Sequence, residues 1–325
     1  MAFQPKISII VIAAHQKEIL MQTLKRLGQL SHPSYEIVVI SMVEELDDAA
    51  VLNLNGRLRW FQLPSDESIS PRNWGVQLAR GEIVVFCDDA IIPTQQWLQA
   101  HERNYSDSSI GSVAGKIVEN NGEIQSHKVG QINWLTGQLV ENFHSNTRTR
   151  IDFGYGFNLS FRKEALLKVH GFDTRFMGTG ILDDVDACLR VKAIGYEIVF
   201  EPDASVIHLE PTSITNAADY WQRWYFWYGH NSSLLFYKNF SYRVAPIYLA
   251  YRIVELVAAS LKYRQLNIFR RGLQGLWNGY KSYRFRDGNS FIATAPTNRP
   301  AIHAKIARSE FAVSMLHTAV HPPRA

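Results

Sequence analysis

Two clusters of carboxylates and one histidine carry the chemistry that this 325-residue sequence can offer. Asp88 and Asp89 are adjacent and follow the apolar run Ile83–Cys87 directly. Paired carboxylates at the end of a buried strand can hold a divalent cation, and such a cation neutralises a diphosphate leaving group. The same pair can also cap a loop by Asx-turn bonding, so the pair alone does not decide. Asp183, Asp184 and Asp186 fall within four residues and open a helix. One acid in a first turn offsets the helix dipole, but three exceed that need. A carboxylate held at a helix start over a cleft can take the proton of an attacking hydroxyl as a general base. His208, after the segment Pro202-Asp203-Ala204-Ser205, can complete a metal site with the earlier acids, although a lone histidine is more often a satisfied polar residue.

The elements that must position these groups follow from periodicity. Ile7–Ala14 and Glu36–Ser41 are β-branched runs around Glu18–Leu30, whose apolar residues have helical spacing. A further unit repeats the order: strand Leu58–Leu63, helix Pro71–Ala79 with proline in its first turn, Gly81 as its stop, and strand Ile83–Cys87. Alternating strands and helices predict an α/β fold with a mostly parallel sheet, which binds ligands beyond the carboxyl ends of its strands. Ser109–Ser160 reads as mixed strands and loops with a turn at Asn120-Asn121-Gly122. After it come a helix at Arg162–His170, a helix at Asp184–Ile194 closed by Gly195, and a strand at Glu197–Glu201. From about Thr212 the pattern is mostly helical.

With 46% apolar residues the chain is long enough for a catalytic domain plus an appendage. Cys87 and Cys188 have apolar or acidic neighbours and read as reduced interior thiols, which points to the cytoplasm; the first apolar run is too short for a secretory signal. Between Trp221 and Arg286 there are eleven Lys and Arg against the one acid Glu255, whereas the whole chain carries only +4. The same stretch holds 18 of the 39 aromatic residues. A basic, aromatic segment suits contact with an anionic surface, either lipid headgroups or nucleic acid; a core-packing helical tail with a solvated basic face is the alternative.

Taken in order, the pieces resemble the family-2 glycosyltransferases of GT-A fold. The donor-side half of the resemblance lies in Asn73-Trp74-Gly75, Ala79 through Asp89, Pro93 and Trp97-Leu98. The acceptor-side half lies in Gly156 through Arg162, Gly171-Phe172-Asp173, Asp183 through Asp186, Leu189-Arg190, Gly195-Tyr196 and Pro202 through His208. The resemblance implies that Asp184 is the catalytic base, with Asp183 where glutamate is usual. It implies a divalent metal, Mn²⁺ or Mg²⁺, at Asp88; the second aspartate of the family's metal motif falls on Ala90, so Asp89 is expected to take its place, with His208 holding metal or diphosphate. Donor contacts are expected from Ala13, His15, Ser41, Arg72, Asn73, Asp88 and Asp89, and acceptor contacts from Gly156, Asn158 and Asp186. The first strand departs from the family pattern in ending Ala13-Ala14-His15-Gln16, and Ser41 replaces a base-binding aspartate.

The expected organisation is a GT-A catalytic domain at 1–211, divided into a nucleotide-sugar half at 1–108 and an acceptor and base half at 109–211. An aromatic, basic helical extension at 212–290 and a tail at 291–325 follow. The resemblance implies a nucleoside-diphosphate sugar as donor, a saccharide or lipid-linked acceptor, and inversion. Trp221–Tyr228, Asn231 and Lys238 also resemble the tail of relatives that build bacterial cell-surface polysaccharides, including rhamnosyltransferase-like members. A catalytically degenerate nucleotide-sugar binder is the rival reading. A nucleotidyltransferase would need a Gly-rich, Lys-containing phosphate loop near the first strand, which is not present. No nucleic acid is expected as a partner. The run Val244–Leu261 contains Pro246, Arg252 and Glu255, and each charge costs roughly 2.5–3.5 kcal/mol at a bilayer centre, so it is expected to lie on the inner face of a membrane instead of spanning it. Arg252 and Glu255 are spaced to pair, and Lys262, Arg264, Arg270 and Arg271 to meet anionic headgroups.

Overall fold

A computed structural model of the chain describes residues 4–13, 17–41, 56–63, 70–118, 124–178, 180–209 and 217–285. His15, the turn at 120–122 and the tail at 291–325 lie outside the described residues. The chain begins β1 (Ile7–Ala13), α1 (Lys17–Gly28), β2 (Tyr35–Ser41), β3 (Leu58–Gln62), α2 (Pro71–Leu78), β4 (Ile83–Asp88), β5 (Ile91–Pro93), α3 (Trp97–Asn104) and β6 (Ile110–Val118). Three two-residue strands follow, β7 (Gln131–Ile132), β8 (Leu139–Val140) and β9 (Thr149–Arg150). Then come β10 (Asn158–Arg162), α4 (Lys163–Lys168), α5 (Asp183–Ala193), β11 (Glu197–His208), α6 (Ala217–Asn239), α7 (Ala245–Lys262) and α8 (Leu266–Arg284).

The main sheet has the order β3-β2-β1-β4-β10-β6-β11-β5, with β9 also paired to β11. β1, β2, β3 and β4 are mutually parallel where they pair, as are β6 and β11. β10 runs antiparallel between β4 and β6, which joins the two halves of the sheet. The central strands β1, β2 and β4 are almost wholly buried, which explains why their sequences are continuous apolar runs without alternation. α2 starts on Ser70, whose hydroxyl accepts the Asn73 N–H, and has Pro71 in its first turn.

One element differs from expectation in a way that matters for the site. The strand expected at Glu197–Glu201 runs on to His208, and the expected loop at 202–205 is absorbed as a register irregularity between Glu201 and Ser205. The extended end then pairs antiparallel with β5, His208 opposite Ile91. Since Ile91 lies three residues after Asp88, this pairing carries His208 to the first acidic pair.

The C-terminal helices share the core of the sheet. Trp221, Trp224, Tyr225, Phe236, Tyr248 and Leu256 belong to the same buried cluster as Phe86, Leu159 and Phe172. Several aromatics of the basic stretch are therefore interior: Phe236 stacks on Tyr248 with ring centroids 4.0 Å apart, and Trp221 on Tyr263 at 4.4 Å. α6 and α8 approach through glycine. A Cβ at Gly275 would stand 2.1 Å from the Phe226 carbonyl oxygen, and one at Gly279 2.0 Å from that of His230, so only glycine permits this spacing. The expected pairing of Arg252 and Glu255 is present at 2.7 Å, and Arg252 also donates to the Tyr228 hydroxyl at 2.8 Å and the Gly137 carbonyl at 2.9 Å.

Candidate active site

The strand register assembles the site. Ala13 at the end of β1 pairs with Ser41 at the end of β2, and Asp88 at the end of β4 pairs with Ile12. Three of the expected donor residues therefore share the carboxyl edge of the sheet. Ala13 and Ser41 are fully buried, so side-chain contact with a donor falls to neighbouring groups. Asn158, opposite Cys87, begins β10 at the same edge, and the segment Tyr155–Phe157 leads into it.

The late acids converge here from the other half of the chain. Asp183 pairs with Arg72 at the start of α2, across 111 positions of sequence. Asp184 accepts the Gly156 N–H at its Oδ2, 2.8 Å, and the Val185 N–H at its Oδ1, 2.8 Å. Gly156 is wedged between these groups: a Cβ there would stand 2.5 Å from Arg72 Nη2. Arg72, Asp183, Gly156 and Asp184 form one contiguous constellation. Burial raises the carboxyl pKa of both Asp183 and Asp184 above the ordinary aspartate value; Arg72 opposes the rise at both, and backbone N–H groups, those of Gly156 and Val185 foremost, oppose it further at Asp184. A carboxylate shifted toward neutrality and oriented by fixed amides is suited to receive a proton.

The approach to the acids is constrained. Leu182, just before α5, has φ 70, a left-handed conformation unusual for a residue with a branched side chain. Asn231 of α6 holds this approach by donating to the Met177 carbonyl at 3.0 Å and the Ile181 carbonyl at 2.9 Å. Lys238 bridges Asp173 at 2.5 Å and Asp186 at 2.7 Å. Asn231 and Lys238 had registered in the sequence only as part of a tail resemblance; their effect is to fix the acid helix from behind.

Three expected ligand contacts have other employment. Asp186 is fully buried, with its carboxylate held by Arg190 at 2.7 Å, Lys238 and Asn239. Asn158 accepts from Trp97 Nε1 at 2.8 Å and donates to the Lys116 and Ala204 carbonyls, both at 2.9 Å, so it ties β10 to β6 and β11. Asn73 makes a two-way clamp on the Phe172 backbone, donating to its oxygen at 2.8 Å and accepting its N–H at 2.7 Å. These side chains hold the frame around the cleft.

At the other acidic pair the two residues separate. Asp89 is wholly enclosed, and its carbonyl accepts the Thr23 hydroxyl. Asp88 keeps partial exposure and lies with Oδ2 3.5 Å from His208 Nε2; His208 in turn packs against the Phe157 ring. No cluster of three or more His, Cys, Asp or Glu fit for a metal occurs among the described residues. Mg²⁺ and Mn²⁺ commonly take one or two protein ligands and complete their shell with water and substrate phosphate, and a partly exposed carboxylate beside an imidazole meets that demand.

Comparison with known proteins agrees with this architecture. Residues 5–226 match the family model described as glycosyltransferase like family 2. The chain is 25% identical over 235 residues to uncharacterized protein y4gI of Sinorhizobium fredii, an alignment covering 64% of this chain and spanning only 25% of that relative's length. Among solved structures, it is similar to the mannosyltransferase PcManGT of Pyrobaculum calidifontis in complex with GDP-Man and Mn²⁺, with TM-score 0.53 and 14% identity over 87% of this chain and 88% of that one. GalNAc-T7 with UDP, GalNAc and Mn²⁺ gives TM-score 0.55 and 15% identity over 73% and 50% of the two chains. S. aureus TarS 1-349 gives 0.51 and 14% over 86% and 91%. With the family matched across more than half its length and the GT-A architecture present in its sheet, the chain belongs to glycosyltransferase family 2.

Proposed function

We propose that this glycosyltransferase transfers a sugar from a nucleoside diphosphate to an acceptor hydroxyl by direct displacement with inversion, and that Asp184 is its base. The observation that carries the reading is the Asp184 carboxylate, buried, fixed by the Gly156 and Val185 amides, and adjacent to the Arg72–Asp183 pair at the carboxyl edge of the sheet. The acceptor oxygen forms a bond to the anomeric carbon while the bond from that carbon to the diphosphate oxygen breaks. Asp184 takes the hydroxyl proton, and the nucleoside diphosphate departs with the electron pair. Attack opposite the leaving group inverts the anomeric centre. Arg72 supplies positive charge to this edge and offsets part of the burial that raises the Asp183 pKa. Asp88 and His208 would hold a divalent cation, which when bound neutralises charge on the leaving diphosphate. The Mn²⁺ and the GDP- and UDP-containing complexes of the similar structures support a nucleotide donor and a divalent ion.

The acceptor class that suits this reading is a saccharide or lipid-linked saccharide of a bacterial cell surface, made in the cytoplasm. The reduced, buried Cys87 and Cys188 support a reducing compartment. A screen for nucleoside diphosphate release from UDP-, GDP- and dTDP-sugars with Mn²⁺ or Mg²⁺ tests the proposal. Asp184→Asn is expected to lower turnover at least a hundredfold with donor binding retained; donor binding with no turnover in the native protein, unaltered by the substitution, would point to a degenerate binder.

A further inference from the structure

α7 presents two unlike faces. Tyr248, Arg252, Leu256 and Ala259, spaced four, four and three residues apart, are buried against the protein. On the opposite side Ile253, Val254, Val257 and Leu261 are exposed, Val254 to 66% and Leu261 to 73%. An uncharged, aliphatic face of that kind has no reason to persist in water. Beyond the turn, Leu266 and Trp277 of α8 are likewise exposed, to 81% and 57%. Cations gather at the same end: Lys262, Arg264, Arg270 and Arg271 are all exposed, and no acid occurs between Glu255 and Asp287.

We infer that the outward face of α7 and the turn into α8 dock on an anionic phospholipid surface, the aliphatic side chains entering the headgroup boundary and the cations meeting lipid phosphates. Charge complementarity selects this occupant. A hydrophobic protein partner would match the aliphatic face but leave the uncompensated basic turn unexplained, whereas an anionic bilayer satisfies both together. Tyr242–Lys262 is long and apolar enough to cross a membrane by length and composition, with mean hydropathy 1.5. Its inner face decides against crossing. Arg252 is held there by the Tyr228 hydroxyl, Glu255 and the Gly137 carbonyl, and insertion would break all three. The helix lies along the surface. Trp277, with the Lys281 ammonium 5.5 Å from its ring centroid, is an aromatic and cationic pairing suited to the interface.

The test is vesicle flotation of the full chain without donor or acceptor, so that its result is independent of the catalytic proposal. The protein is expected to float with vesicles rich in phosphatidylglycerol and to remain behind with phosphatidylcholine alone. Arg270→Gln with Arg271→Gln should weaken partitioning about 25-fold, at roughly fivefold per cation. Val254→Glu with Leu261→Glu, both at exposed positions, should abolish flotation while leaving the melting temperature unchanged. Failure to float with either vesicle would overturn the inference, as would an anionic-vesicle complex resistant to alkaline carbonate, which indicates spanning. Light scattering that shows a dimer dispersed by Val254→Glu, without vesicle binding, would assign the face to a second copy instead.

Discussion

The sharpest test of the site's geometry is Gly156→Ala. Gly156 is not in the left-handed region, so alanine meets no backbone obstacle and the effect is purely steric. Its Cβ would stand 2.5 Å from Arg72 Nη2 and 2.8 Å from Cζ, where ordinary contact begins at 3.4 Å. The backbone at 156 cannot retreat without stretching its 2.8 Å hydrogen bond to Asp184, so the guanidinium must withdraw by about 0.9 Å. Arg72 lies over the Phe172 ring on one side and is partly exposed on another, and it will swing outward, away from Asp183. A misplacement near 1 Å at a positioning group costs about 10²-fold in rate, or roughly 2.7 kcal/mol of barrier. The assay is steady-state release of nucleoside diphosphate, with the melting temperature measured in parallel. We expect kcat to fall about a hundredfold and melting to drop only a few degrees. Combining Gly156→Ala with Arg72→Lys, whose slimmer side chain relieves the clash, should cost less than the two single losses together. A kcat within threefold of the native value, or full additivity in the double variant, would refute the wedge as described.

Because burial raises the Asp184 pKa, the acid limb of the kcat profile should lie above the ordinary aspartate value of 3.8, activity rising with pH as the base loses its proton. The same shift means the folded state binds the proton more tightly, so Asp183 and Asp184 contribute less stability as pH rises from the unfolded toward the folded value; Asp184→Asn should therefore flatten the decline in a urea titration across that window. Asp173 behaves oppositely. Burial works against its charge, but Arg175 and Lys238 outweigh it and hold its pKa well below the usual range, so its stabilisation is full above about pH 4 and is lost as pH falls; Asp173→Asn should cost about 3 kcal/mol at pH 7 and remove that acid sensitivity in chemical denaturation. His208→Ala should raise the metal concentration needed for half-maximal turnover at least tenfold, with an unchanged requirement counting against a shared Asp88–His208 site. Gly275→Ala, which drives a methyl into the Phe226 carbonyl, should destabilise by about 1–3 kcal/mol, while Val254→Ala on the outer face of α7 leaves denaturation unaltered.

The parallel half of the sheet was legible because strands buried on both faces leave unbroken apolar runs, and because Pro71 and Gly81 punctuate the helix between two of them. β11 runs further than its sequence suggests: Pro202 and Asp203 look like a loop in one dimension and are accommodated as a bulge in three. The acids announced themselves by density, but the Arg72–Asp183 pair spans 111 positions and leaves no local signal. Asn73, Asn158 and Asp186 show the limit of motif reading. A motif contains both the residues that face a ligand and those that hold the backbone around it, and only hydrogen-bond partners separate the two. The basic aromatic stretch divides in the same way: Trp221, Trp224, Phe236 and Tyr248 turn inward, while Trp277, Lys262, Arg270 and the aliphatic Val254 and Leu261 face outward.

The glycine contact between α6 and α8 has a consequence for how the protein can change over time. Positions 272, 275 and 279 accept no side chain, because each would strike another helix: Leu256 of α7 at the first, and the backbone of α6 at the other two. Leu266, Leu273 and Trp277 are exposed and bound by no such limit. Lineages can therefore rewrite what α8 shows to its surroundings without disturbing α6, whose Asn231 and Lys238 brace the acid helix. Surface preference and chemistry are free to drift separately, although a single helix stands between them.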